Sequence, residues 1–274
     1  MVSDKGVNGM KFSCQEGHLP GETYVEKFAN AEKIGFDGVE LSGREILGKV
    51  EELKEALAST KVKVSSICSG YPGDLLHSDR AMREKAIEGI KERLKVAGEL
   101  GAVGLIVVPT FGGPKLPDLY PLYSDVIELE RKLLVEELKI LDKHAVEYGT
   151  FVLLEPLNRY ETHFLNLVED AVSIVEEVGG VNIRIMADFF HMNIEERDIA
   201  ESLRKGFKHL AHIHLADSNR FAPGMGHTDF KKPFKVLKEL GYKYYMAYEC
   251  RVPEPKVETL KKSLEYLKGI LEAI

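Results

Sequence analysis

Five times along the chain a helix-length amphipathic stretch ends at a glycine, and a short apolar run follows within a few residues. The stretches are EKIGFDGVEL (32–41), GELGAVGLIVV (98–108), VEYGTFVLLE (146–155), EEVGGVNIRIMAD (176–188) and KELGYKYYMAYE (238–249). A glycine at such a point can take the left-handed conformation that closes the last turn of a helix. The runs that follow are continuously apolar and rich in β-branched residues, as parallel strands covered on both faces must be. The segments between them read as helices. Residues 79–100 open on Asp79 as an N-cap and place Met82, Ala86, Ile90, Leu94 and Ala97 on one stripe. Val257, Leu260, Leu264, Leu267, Ile270 and Ile274 form a similar stripe near the C-terminus, and further helices are expected over 22–34, 46–59, 124–148, 166–178, 193–205 and 232–240.

Strands are expected near 10–14, 37–42, 62–68, 104–109, 151–155, 183–188, 209–215 and 244–249. Eight alternating strand–helix units predict an α/β fold, a (β/α)8 barrel. The alternative is a doubly wound open sheet, which usually carries a glycine-rich nucleotide turn after its first strand. CQEGHLPGE is no such turn. With no linker or break in composition, residues 1–274 read as one domain, of which 1–9 form a frayed lead-in.

The balance of 37 basic against 44 acidic residues gives a net charge of −7. That disfavours a nucleic-acid backbone or an anionic membrane surface as partner. No apolar run approaches the length of a membrane span, and MVSDKGVNG has no apolar signal region. Cys14, Cys68 and Cys250 are odd in number and widely spaced, which fits reduced thiols in a cytoplasmic protein.

The chemistry gathers at the last four strand ends. In LLEPLNRYETHFLN (153–166) an apolar strand stops at Glu155 and gives way to a dense polar run. Strand six ends in Asp188 (IMADFFHM), strand seven at His214 (AHIHLAD) and strand eight in Glu249 (MAYEC), while the first four ends offer the nearly neutral Cys14, Ser42, Cys68 and Pro109. A barrel collects its active site at these C-terminal ends. Three carboxylates meeting there would repel one another by roughly 4 kcal/mol per pair at ~4 Å, even at an effective dielectric of 20. A divalent metal relieves that repulsion, and three oxygen donors with one nitrogen suit Mn²⁺, Mg²⁺ or Co²⁺. Any one of these residues is more often a helix cap, an ion-pair partner or, for His214 and His212, a satisfied core histidine. Four consecutive strands ending this way is hard to explain as capping.

Glu161, His191 and Arg220 lie just beyond these ends, where they could hydrogen-bond a polyhydroxylated ligand; as isolated residues each reads equally well as a surface cap or ion pair. His227 is assigned a structural or supporting role. The long loops TFGGPKLPDLYPLYS (110–124) and DSNRFAPGMGHTDF (217–230) are expected to wall or cover the pocket.

EPLNRYETHFLN, ADFFHMNIEE, HIHLADSNRFAPGMGHTDF and YEC resemble the ketose 3-epimerases, which act on D-tagatose, D-psicose or L-ribulose and belong to the xylose isomerase-like TIM-barrel superfamily. The match is dense over 150–250. It implies a Mn²⁺-type ion held by Glu155, Asp188, His214 and Glu249. It also implies Glu155 and Glu249 as the acid/base pair, and Glu161, His191 and Arg220 as substrate contacts. A homodimer or homotetramer is implied as well. The resulting expectation is inversion of C3 in a free ketose or keto-sugar acid through an enediolate. An aldose–ketose or hydroxypyruvate isomerase using the same site is the alternative. An apurinic endonuclease is disfavoured by the acidic charge and by the lack of histidines on strands two to four.

Overall fold

The structure, a computed structural model, describes residues 9–274. The lead-in expected over 1–9 therefore lies, apart from Gly9, outside the described residues. Eight parallel strands close into a barrel in chain order. They are β1 (Lys11–Gln15), β2 (Gly38–Ser42), β3 (Lys63–Cys68), β4 (Gly104–Val107), β5 (Phe151–Leu154), β6 (Ile183–Asp188), β7 (Leu210–Leu215) and β8 (Tyr245–Tyr248). The helices outside it are α1 (Tyr24–Ile34), α2 (Val50–Ser59), α3 (Arg80–Leu100), α4 (Val126–Glu147), α5 (Val168–Val178), α6 (Phe189–Glu195), α7 (Ile199–Gly206), α8 (Lys231–Leu240) and α9 (Lys256–Glu272).

The expected punctuation is present. Gly35, Gly101, Gly149, Gly179 and Gly241 all have positive φ, and each turns the chain from a helix toward the next strand. Asp79 caps α3 by accepting from the Ala81 amide at 2.9 Å. Thr23 and Glu26 form a reciprocal box at the start of α1. Two expectations need correction. Residues 46–59 open with a separate 3-10 turn, Ile46–Gly48, before α2. The helix expected over 193–205 is two helices, α6 and α7, because Asp188 starts a helix directly at the strand end and Asp198 caps a second one.

Strand residues alternate between two environments. Val39, Leu41, Val152, Leu154, Ile185, Ile213 and Leu215 face outward and pack with helix residues such as Ile90, Leu94, Leu138 and Leu264. Ile106, Leu153, Met186 and Ala211 form a smaller apolar cluster of their own. Two residues beyond Leu153 and Met186, on the same face, stand Glu155 and Asp188. Two register shifts adjust this layering. Between β2 and β3 the pairs run Val39–Val64 and then Glu40–Ser66, leaving Ser65 as the extra residue. Between β6 and β7 they run Ile185–Leu210 and then Met186–His212, leaving Ala211 out. Bulges of this kind re-aim side chains, and here they put Ser66 beside Glu40 and His214 beside Asp188 on shared rungs.

Candidate metal centre

Glu155 follows β5 directly, with its amide still bonded to the Val107 carbonyl at 3.1 Å. Glu249 likewise follows β8, its amide 3.3 Å from the Leu215 carbonyl. Asp188 closes β6 and also caps α6, accepting from the Phe190 amide at 2.7 Å. The capping reading is thus correct for Asp188 without exhausting its role, because its second oxygen points elsewhere. His214 sits on β7 and is fully buried.

These four side chains converge: one donor atom from each lies within 4.8 Å of the others. His214 Nδ1 is 3.0 Å from Glu249 Oε2, 3.6 Å from Glu155 Oε1 and 3.7 Å from Asp188 Oδ2. That nitrogen is buried and makes no hydrogen bond. A buried lone-pair donor surrounded by three carboxylate oxygens is the donor set of a hard or borderline divalent cation, so the residues fit a metal such as Mn²⁺.

The charges are compensated unevenly. Burial would raise the Asp188 carboxyl, but Arg220, then His191 and His214, hold it well below the usual range. Burial also works against charge on Glu249, where His214 and Arg220 keep the carboxyl low. Glu155 has no such arginine bond, and burial pushes its carboxyl up in spite of His214. Burial opposes the His214 imidazolium as well, yet Glu249 and Glu40 raise it well above its ordinary value.

Arg220 and His191 join this cluster. Arg220 Nη1 donates to Asp188 Oδ2 at 2.6 Å and Nη2 bonds Glu249. His191 Nε2 lies 3.7 Å from Asp188 Oδ2. The other His191 nitrogen, Nδ1, accepts from the Asn158 side-chain amide at 2.7 Å, which leaves the Nε2 proton directed at the site. Glu161 stands apart, half exposed at the rim, where it accepts from Asn158 at 3.0 Å. His227 is exposed and bonds Ser218 within its own loop at 3.0 Å, a structural role. The loop after β4 is tied to the loop after β5 through the Gly112–Thr162 bridge.

The reading of the early strand ends as nearly neutral missed two residues, and a third, Asn158, follows β5. Glu40, in the middle of β2, is fully buried inside the barrel. Gln15 Nε2 donates to both Glu40 Oε1 and Glu249 Oε1 at 3.0 Å. Asn158 orients His191. The signal for Glu40 was a charge inside the apolar run GVEL, at an inward position by period two. A cavity of about 720 Å³ spreads over the ends of β1 to β3, lined among others by Gln15, Glu40, Ser42, Cys68, Tyr71 and Phe111. It adjoins the metal-type cluster through Gln15 and Cys68, whose thiol lies 3.8 Å from Glu249 Oε1.

A closed (β/α)8 barrel with a carboxylate–histidine cluster at its mouth defines a class, and comparison with known proteins makes it specific. The family described as xylose isomerase-like TIM barrel matches residues 28–270, and the chain belongs to it. The 3-dehydro-D-guloside 4-epimerase of Escherichia coli is 36% identical over 264 residues, spanning 94% of this chain and 99% of that protein. A D-psicose 3-epimerase of Agrobacterium fabrum is 30% identical over 80% of this chain and 75% of its own length. Among solved structures, the apo 3-keto-D-glucoside 4-epimerase of E. coli superposes with a TM-score of 0.86 at 32% identity, covering 95% of this chain and 99% of that one. A D-psicose 3-epimerase determined in the presence of D-fructose shares the fold, with a TM-score of 0.82 at 22% identity over 96% of this chain and 99% of that one. These relatives are sugar epimerases, of the isomerase class. No helix among the described residues is long and apolar enough to cross a membrane.

Proposed function

We propose that this chain is a metal-dependent epimerase that inverts a hydroxyl-bearing carbon next to a ketone in a sugar, acting as one domain over residues 1–274. The observation that carries the reading is the convergence of Glu155, Asp188 and Glu249 around the buried Nδ1 of His214. These four side chains would hold the cation, with Mn²⁺ favoured over Co²⁺ or Mg²⁺. When bound, it would polarise the ketone and stabilise negative charge developing on the sugar oxygens.

The proton traffic belongs to the protein. Glu155 and Glu249 come from the ends of β5 and β8, three strands apart around the barrel. One takes the carbon-bound proton from one face and the other returns a proton to the opposite face, passing through an enediolate and inverting the centre. Arg220 and the Nε2 proton of His191 bind and orient the ketone end of the sugar, and Glu161 contacts a hydroxyl at the rim.

Two substrate classes share this chemistry. In a free ketose such as D-psicose or D-tagatose, the ketone is at C2 and the inverted carbon is C3. In a 3-keto-glycoside the ketone is at C3 and the inverted carbon is C4. The second class is supported by the 36% identity to the guloside epimerase along nearly its whole length. It is also supported by the 720 Å³ cavity beside the cluster, which leaves room for a substituent on the sugar. A cytoplasmic location is supported by three cysteines that form no disulfide. A homodimer or homotetramer follows from the resemblance.

The test is deuterium incorporation in D₂O with D-psicose, D-tagatose and a methyl 3-keto-glucoside, before and after EDTA. Label at C3 of a ketose or at C4 of the keto-glycoside, lost on chelation and restored by Mn²⁺, supports epimerisation. Label at C1 of a ketose would identify an aldose–ketose isomerase. Absence of exchange with every sugar would leave only a sugar-binding protein.

A further inference from the structure

Glu40 is a carboxylate with no exposure to solvent, held inside the barrel one layer below the metal-type cluster. Four side chains point polar atoms at it. Ser66 Oγ lies 2.6 Å and His212 Nε2 2.8 Å from Oε2. His214 Nε2 lies 3.0 Å from Oε1 and 3.1 Å from Oε2, and Gln15 Nε2 lies 3.0 Å from Oε1. An ionised carboxylate only accepts hydrogen bonds, so each of these groups must donate to it. A buried carboxylate with this many donors is fully compensated rather than stranded.

The consequence falls on His214. Its other nitrogen, Nδ1, faces three carboxylates, the nearest at 3.0 Å, and those oxygens would draw a proton onto Nδ1. A protonated Nδ1 cannot ligate a cation. Glu40 works from the opposite side of the ring. We propose that Glu40 is a positioning residue: by accepting from Nε2 it anchors the His214 ring and keeps that nitrogen's proton on the side away from the cluster, so that Nδ1 is the nitrogen turned toward the cation. Ser66 and His212 in turn fix the carboxylate plane of Glu40, and the β2–β3 register shift between Val39 and Glu40 places Ser66 opposite it. A carboxylate behind a ligating histidine fixes both the tautomer and the ring orientation, and its loss typically costs 10–100-fold in metal affinity. The inference rests on the metal site proposed above and adds to it a residue outside the four ligands.

The experiment measures Mn²⁺ affinity by calorimetry for the wild-type protein and for Glu40→Gln, together with imidazole ¹⁵N NMR of the wild-type protein loaded with diamagnetic Mg²⁺. Mn²⁺ binding weakened roughly 10- to 100-fold in a folded Glu40→Gln protein is expected. So is a His214 ring carrying its proton on Nε2. A folded Glu40→Gln protein that binds Mn²⁺ within about threefold of wild type would overturn the proposal. So would a Mg²⁺-loaded wild type with the His214 proton on Nδ1, a result that needs no variant to fold. If the wild type bound neither ion, the metal reading would fall and this inference with it. Intact wild-type binding with an indifferent Glu40→Gln would sink the inference alone.

Discussion

Arg220 bonds two carboxylates from the ends of β6 and β8 at once, donating to Asp188 Oδ2 at 2.6 Å from one terminal nitrogen and to Glu249 from the other. The loop that delivers it is built for the purpose. Arg220 has a positive φ of 65°, a conformation that costs a non-glycine residue about 1 kcal/mol or more. Its amide bonds the Asp217 carbonyl at 2.9 Å and its carbonyl accepts from the Arg251 amide at 2.6 Å. Its guanidinium lies 4.7 Å from the centre of the Phe190 ring. Asp217 ties the rest of the loop together by accepting from the amides of Ser218, Gly224 and Thr228.

Replacing Arg220 by Ala leaves Asp188 and Glu249 without their guanidinium and removes the donor proposed for the sugar. Truncating one partner of a buried, bonded charge pair costs about 2–5 kcal/mol. The expected result is a folded protein with kcat/KM reduced roughly 30- to 5000-fold, much of it in weakened sugar binding. Lysine at this position recovers little, since a point charge cannot bond two carboxylates in the fork geometry. An unchanged kcat/KM for Arg220→Ala would remove the residue from the site.

Glu155→Gln and Glu249→Gln keep side-chain volume but remove a proposed proton carrier. General acid–base groups contribute about 10²- to 10⁴-fold, and these residues would also be ligands. Epimerisation should fall at least that far in each variant, with the barrel intact by circular dichroism. Full activity in either variant would overturn the assignment of acid and base.

Metal removal gives an independent handle. A ligand that binds only the folded state at 100 times its Kd stabilises by about 2.7 kcal/mol, which for a chain of this size is roughly 5–10 °C in Tm. Wild-type protein stripped with EDTA should therefore melt lower and regain that interval on addition of Mn²⁺. Glu155→Gln and Asp188→Asn should show a smaller gain. An equal Mn²⁺ shift in wild type and in both variants would show the ion binding somewhere else.

Much of this architecture could be read in advance because two strong signals coincide. Glycines that close helices mark where each strand must start, and a charge at the end of an apolar run marks where Glu155, Asp188 and Glu249 enter the mouth. What escaped depends on contacts across the barrel. Glu40 reads as an isolated charge in GVEL until β3 and β7 bring Ser66, His212 and His214 to it. The register shifts that align those partners leave no mark in the sequence, since Ser65 and Ala211 look like ordinary strand residues. Gln15 and Asn158 are neutral amides whose importance lies in what they orient. The break between α6 and α7 was missed because Asp188 serves as both strand end and helix cap.

Away from the mouth, Glu137 on α4 offers a test of electrostatics independent of any metal. Its side chain is only 6% exposed, Oε2 has no hydrogen-bond partner, and Arg83 Nε stays 3.8 Å from Oε1. Burial, against the weaker pull of Arg83 and with a further push from Asp74, raises the carboxyl to about 8. In the unfolded chain it ionises near pH 4.5, the ordinary value. Between those limits the folded state holds a proton that the unfolded state has released. Stability therefore declines as pH rises across the window, by up to about 1.4 kcal/mol per unit. Below the window Glu137 is neutral in both states and costs nothing. Glu137→Gln should match wild type in stability near pH 4 and exceed it near pH 9, by an amount on the order of a few kcal/mol, with Tm following in the same direction. Thermal melts of both proteins across that range check this, and a difference that stayed flat with pH would show that Glu137 is already ionised in the folded state.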